Sequence, residues 1–199
     1  MKIYLVRHGL TESNKQKHYT GWTDVELAPE GVAQVEALAA GFSGMKIAGL
    51  FSSDLRRAIK TAEIIGSGHG LKPEPSPQLR EINFGLWEGL RYEEIIASYE
   101  NEMRRWYDDP FLCAPPGGED LRQVFARAHS FLDGLWNRED GEGTFVVVSH
   151  GGTIRSVLHH YLGLEKNRFF ELTVDNAAVS LLEKDAQGTV RVSYMNKRL

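Results

Sequence analysis

Short apolar runs alternate along the chain with segments whose apolar residues recur at three-and-four spacing, and that alternation predicts strand-to-helix units. Ile3–Val6 is the first run. After a polar loop, the segment opening at Pro29-Glu30 sets Val32, Val35, Leu38, Ala39 and Phe42 on one helical face. Ala48–Phe51 is a second run, closed by Ser52-Ser53-Asp54, whose oxygens are placed to cap a helix carrying Leu55, Ala58, Ile59, Ala62 and Ile65. Thr144–Ser149 (TFVVVS) is β-branched enough for a central strand. It leads through His150-Gly151-Gly152 into a third periodic stretch, Ile154, Val157, Leu158, Tyr161 and Leu162. Helical crossovers between successive strands imply parallel pairing and therefore an α/β fold.

Glu81 to Gly118 breaks this pattern with aromatics, charges and prolines. It reads as a cap inserted over about residues 82–118, helical across Tyr92–Tyr107 and turning at Asp109-Pro110 and Pro115–Gly118. An amphipathic helix with the stripe Leu121, Val124, Phe125, Ala128, Phe131, Leu132 and Leu135 returns the chain to the body. Ala178–Glu183 and Val190–Tyr194 then predict an antiparallel edge hairpin.

Composition narrows the reading. A chain of 199 residues, 42% hydrophobic and 25% charged, can bury one large core with a small cap, so residues 1–199 are expected to form a single domain. A formal net charge of −4 opposes nonspecific nucleic-acid binding, which is driven by excess Lys and Arg. No run approaches the roughly 20 apolar residues that span a bilayer. Ile3–Val6 is too short for a signal-peptide core, and the single cysteine, Cys113, has no intramolecular partner. A cytoplasmic protein with no membrane or nucleic-acid partner is expected.

The candidate chemistry gathers where strands end. His8 and His150 each follow a predicted strand and precede glycine, and parallel strands put their C-terminal ends on one side of the sheet. Arg7 accompanies His8, and Arg57 enters from the first turn of the second helix. Two guanidinium forks and two imidazoles suit a phosphoryl group. Gly9, Gly151 and Gly152 let the backbone approach, and the helix starting near Gly152 can aim amides at an anion. Phosphoryl transfer to His8 needs a neutral imidazole, which nearby guanidinium charges favour, and a proton for the leaving oxygen, for which Glu81 is the best-placed acid. Thr11 and Asn14 could add neutral donors. His159-His160 points apart on a helix and lacks a carboxylate at ligand spacing, so no metal site is expected.

With these residues in place, the chain resembles the histidine phosphatase (phosphoglycerate mutase-like) superfamily. The resemblance runs through Leu5–Gly9 (LVRHG) with Thr11 and Asn14, Gly21–Asp24 (GWTD) with Leu27, Ser52–Ala58 (SSDLRRA) with Thr61-Ala62, Leu79–Glu81 (LRE) and Val148–Gly152 (VSHGG). It implies a three-layer α/β/α sandwich on a mostly parallel sheet, with no catalytic metal and no cofactor. It implies His8 as the phosphate-accepting histidine and Glu81 as the proton donor. Arg7, Arg57, His150, Asn14, Thr11, Gly21 and the Gly151 backbone would then surround the phosphate. Asn83–Gly89 and Pro115–Asp120 resemble the cap of α-ribazole phosphatases and broad-specificity members, which implies hydrolysis of α-ribazole 5′-phosphate or of small phosphorylated metabolites. Leu10 and Ser13 depart from the family pattern at substrate-contact positions. Trp87, Tyr92, Trp106, Tyr107 and Phe111 are either a stacking surface for a nucleoside-like group or the cap's own core. Glu119 either enters the site or caps the helix beginning near it. A phosphoglycerate mutase and a noncatalytic phosphate-binding protein are the alternative functions.

Overall fold

A computed structural model describes residues 1–138 and 142–199. Its sheet is built from β1 (Lys2–Arg7), β2 (Ile47–Ser53), β3 (Glu74–Ser76), β4 (Thr144–Ser149), β5 (Val179–Lys184) and β6 (Val190–Lys197), in the order β3-β2-β4-β1-β5-β6. The first four strands pair in parallel, and β5 and β6 continue the sheet antiparallel. The helices are α1 (Glu12–Lys15), α2 (Pro29–Gly41), α3 (Arg56–Ser67), α4 (Tyr92–Asp108), α5 (Leu121–Trp136) and α6 (Gly151–Tyr161).

The pleat sorts the core into two layers, because alternate strand residues face opposite sides of the sheet. Tyr4, Val6, Leu50, Val146 and Val148 pack against Val35, Leu38 and Phe42 of α2 and Ala58, Ala62 and Ile65 of α3. Ile3, Leu5, Phe51, Phe145 and Val147 pack on the other face against Ala128, Leu132 and Leu135 of α5 and Ile154, Val157 and Leu158 of α6. This is the α/β/α sandwich. A third cluster, including Trp87, Ile95, Met103 and Trp106, gives the cap its own core.

Local details differ from the sequence reading. The oxygens of Ser52-Ser53-Asp54 do not cap α3: its N-cap is Leu55, with no side-chain cap bond. Asp24 caps from a distant loop instead, taking the Arg56 amide at 2.8 Å and its guanidinium Nε at 3.0 Å. The edge strand β3 was not expected. It has three residues, one of them Pro75, too few to show a period. The cap helix extends one residue past the expected end and breaks helical geometry at Tyr99 (φ −139°, ψ 38°).

Candidate active site

Strand register brings the two histidines together. β1 and β4 pair Arg7 with Ser149, so His8 and His150 are the next residues beyond one shared end, and the His8 amide donates to the Ser149 carbonyl at 3.0 Å. Their ring centroids lie 5.0 Å apart. His8 is 3% exposed, and its Nδ1 sits 2.7 Å from the Gly9 carbonyl oxygen. A carbonyl only accepts, so Nδ1 carries the proton and Nε2 keeps the lone pair. Burial, then the charges of Arg57 and Arg7, hold His8 well below the ordinary histidine range, which keeps the ring neutral at pH 7.

His150 has the opposite tautomer. Its Nδ1 accepts from Arg57 Nε at 3.2 Å, so in the neutral ring Nε2 bears the proton. That Nε2 is buried and has no hydrogen-bond partner among the described residues. Burial and the Arg57 charge depress this ring as well. Arg57 is itself fixed in place, its terminal nitrogens donating to the Thr23 carbonyl at 2.8 Å and the Gly21 carbonyl at 2.6 Å. Each of those nitrogens retains a second N–H. Gly21 thus enters through its carbonyl. Its loop is held by Glu88, whose carboxylate accepts from the amides of Gly21, Trp22, Thr23 and Phe84.

Arg7 donates through one terminal nitrogen to the Val174 carbonyl at 2.6 Å, while its buried Nε has no partner among the described residues. Gly151 lies against this guanidinium. Glu81 accepts at Oε1 from the amides of Ile82 (2.9 Å) and Thr153 (3.1 Å) and at Oε2 from Gly152 (3.0 Å). The amides at the start of α6 therefore hold a carboxylate of the chain itself, which anchors Glu81 beside the histidines. Gly152 is required there: a Cβ would stand 2.6 Å from Oε1.

A cleft of about 420 Å³ opens over these groups, lined by Arg7, His8, Asn14, Lys17, Glu81 and Phe84 among others. Arg57 and His150 are not among its lining residues; both are buried, His150 with its ring against that of His8. Thr11 is also buried, and its hydroxyl accepts the Asn14 amide in the capping box of α1. Asn14 Oδ1 accepts from the Thr11 amide and from Asn176 Nδ2, which leaves the Asn14 amide nitrogen as the end free to donate.

Asn176 escaped the sequence reading. It also donates to the His8 carbonyl at 3.1 Å, yet it sits in an irregular loop with no periodic or motif signal. Of the cap aromatics, Trp87, Trp106 and Phe111 belong to the cap core, whereas Tyr92 and Tyr107 are exposed. Glu119 neither enters the cleft nor caps α5; it pairs with Arg127 at 3.0 Å, and Asp120 caps the helix. Among the described residues no group of three or more His, Cys, Asp or Glu could hold a metal. No described helix is long and apolar enough to cross a membrane.

Comparison with known proteins gives a consistent result. The family model for the histidine phosphatase superfamily, branch 1, matches residues 3–197. Phosphoserine phosphatase 1 of Hydrogenobacter thermophilus is 32% identical over 96% of this chain and 90% of its own. The mycobacterial glucosyl-3-phosphoglycerate phosphatase solved with VO3 is 30% identical, with a TM-score of 0.87 over 98% of each chain. The α-ribazole phosphatase of Shigella flexneri shares the fold at a TM-score of 0.90 and 24% identity, over 100% of this chain and 97% of that one.

Proposed function

The chain belongs to the histidine phosphatase superfamily, and we propose that it hydrolyses small phosphomonoesters through a phosphohistidine on His8. The observation that carries this reading is the complementary pair of tautomers. One ring offers a lone pair, and His150 Nε2–H and Arg7 Nε–H are buried donors without partners among the described residues. Unpaired buried donors are costly, and an anion relieves them.

In the proposed sequence His8 Nε2 attacks phosphorus, an N–P bond forms, and the ester P–O bond breaks. Glu81, entering this step as the protonated acid, gives the leaving oxygen its proton and is left as the carboxylate. Water then attacks the phosphohistidine, Glu81 takes a proton from it, and the N–P bond breaks to release phosphate and restore the lone pair. Arg7, Arg57, His150 and the Asn14 amide meet the charge on the phosphoryl oxygens, with Gly151 leaving room for the Arg7 guanidinium.

Small phosphorylated metabolites fit a cleft of this size. For α-ribazole 5′-phosphate the support is an aromatic wall of Tyr19 and Phe84, extended by Tyr107, whose hydroxyl is 3.0 Å from that of Tyr19. Phosphate release is measured in EDTA for the wild type and His8→Ala on α-ribazole phosphate, phosphoserine, 3-phosphoglycerate and sugar phosphates. Metal-independent release by the wild type alone is expected. Release by both proteins at equal rates would remove His8 from the mechanism, whereas interconversion of phosphoglycerates exceeding release would make the chain a mutase.

A further inference from the structure

Glu81, the proton donor of the proposed sequence, lies outside the strands and helices, in the irregular chain that follows a short turn ending at Leu79. Side chains hold its main chain in place. The carbonyls of residues 78 to 81 accept from Arg127, Ser149, Thr153 and Trp22. Arg127 takes three of the four. Its Nη1 donates to the Gln78 carbonyl at 3.0 Å and the Arg80 carbonyl at 2.5 Å, and its Nη2 donates to the Glu81 carbonyl at 2.8 Å.

The rest of the fork goes to Glu119, Nε to Oε1 and Nη2 to Oε2, each at 3.0 Å. A guanidinium has five N–H groups, and these five bonds use them all. Glu119 is fixed in turn across the base of the cap: its Oε2 accepts the Asn83 amide, and its own amide donates to the Asn83 carbonyl, both at 2.9 Å. The Arg127 and Glu119 side chains are 16% and 14% exposed, so this is not a solvated surface pair. Val124 and Ala128 of the same helix are wholly buried, which gives the fork a rigid mount. A buried ion pair contributes little net stability, whereas a planar fork with every donor spent fixes the groups it bonds relative to one another.

We infer that Arg127, oriented by Glu119, is a positioning residue for proton transfer: it sets the main chain from which the Glu81 carboxyl reaches the leaving oxygen. This rests on the phosphatase reading above and deepens the role given there to Glu81. The amides of Ile82, Gly152 and Thr153 hold the carboxyl end of Glu81, and Arg127 holds its carbonyl end. A displacement of about 1 Å at either end is enough to cost about 100-fold in a step that depends on this geometry. Only P–O cleavage that needs a proton feels that loss. An alkyl ester departs as the alcohol, carrying the proton of Glu81, whereas 2,4-dinitrophenyl phosphate releases a phenolate that is stable without one.

The test measures kcat/KM, which reports the steps up to P–O cleavage and not the later attack of water, on 2,4-dinitrophenyl phosphate and on an alkyl ester. The alkyl ester is whichever of O-phosphoserine, β-glycerophosphate and glucose 6-phosphate the wild type cleaves fastest. Glu81→Gln serves as the reference and should lower the alkyl-to-aryl ratio about 100- to 10,000-fold. Arg127→Lys keeps the charge but has three donors in place of a planar five, and should lower the same ratio about 10- to 100-fold. Glu119→Gln should lower it less, in the same direction. Thermal melts establish that each variant is folded at the assay temperature, and Glu119→Gln carries the comparison by itself if Arg127→Lys is not. Equal losses on both esters in the folded variants, beside a selective loss in Glu81→Gln, would overturn the inference and leave Glu81 as the acid; the pair would then be a stay for the base of the cap. Equal losses on both esters in Glu81→Gln would overturn the acid role and the inference with it. Absence of release from every ester would mean that the phosphatase reading itself had failed, and the inference with it.

Discussion

Replacing Arg57 by methionine keeps most of the buried stem and removes the guanidinium, so it separates packing from charge. Three interactions go: Nε to His150 Nδ1 at 3.2 Å, and the bonds to the Thr23 and Gly21 carbonyls at 2.8 and 2.6 Å. Arg57 is 1% exposed, so water does not readily replace it. A buried acceptor left alone costs about 1–3 kcal/mol. The His150 ring can change tautomer, which leaves two carbonyls and a total near 3 kcal/mol. For a domain of this size that lowers Tm by about 6–12 °C without unfolding it at 25 °C.

The effect on turnover is larger. One charged donor to the transferring phosphoryl group is worth about 100- to 1,000-fold in kcat. Arg57 is also the largest charge depressing both imidazoles, so its loss raises their pKa values, and the acid limb of kcat/KM moves to higher pH. Thermal melts and pH–rate profiles of wild type, Arg57→Met and Arg57→Lys read all three effects, with Arg57→Lys holding the acid limb nearer its wild-type position. A folded Arg57→Met protein with kcat within about threefold of wild type and an unmoved acid limb would refute the reasoning.

Two other perturbations probe different parts of the structure. Gly152→Ala puts a methyl group where Glu81 Oε1 and Ile82 Cδ1 each stand 2.6 Å away, and Glu81 is tied by backbone amides, so a displacement approaching 1 Å should lower kcat about 100-fold. Unchanged turnover would mean that the position of Glu81 does not matter. His129 stacks on Phe125 and meets His160 at 4.3 Å, and burial holds it down to about 4, below its unfolded value near 6.5. Its contribution to stability is complete above pH 6.5 and is lost as pH falls toward 4. Solvent around a half-buried ring discounts the full shift to about 1–1.5 kcal/mol. His129→Phe should flatten that part of the stability–pH curve in urea titrations, and an identical slope in both proteins would count against it.

Legibility in the sequence followed the physics of each element. Thr144–Ser149 was readable because a strand buried on both faces needs an unbroken apolar run, and the stripes of α2, α3, α5 and α6 because each helix buries one face. Convergence of His8 and His150 followed from parallel strands ending on one side. What escaped was set by partners distant in sequence. Asp24 caps α3 from 32 residues away, Glu119 pairs with Arg127, and Asn176 reaches the His8 carbonyl across 168 residues. Exposure of the cap aromatics was also hidden, since Trp87 and Tyr107 look alike until packing buries one and exposes the other.

The most direct test of the central claim is a rapid quench of the enzyme during turnover, followed by peptide mapping under alkaline conditions that preserve phosphohistidine. The account predicts an acid-labile phosphoryl group on the peptide containing His8, formed and consumed at rates matching turnover and absent in His8→Ala. Turnover with no such adduct at any time, or with the phosphoryl group on a peptide containing His150 instead, would contradict it.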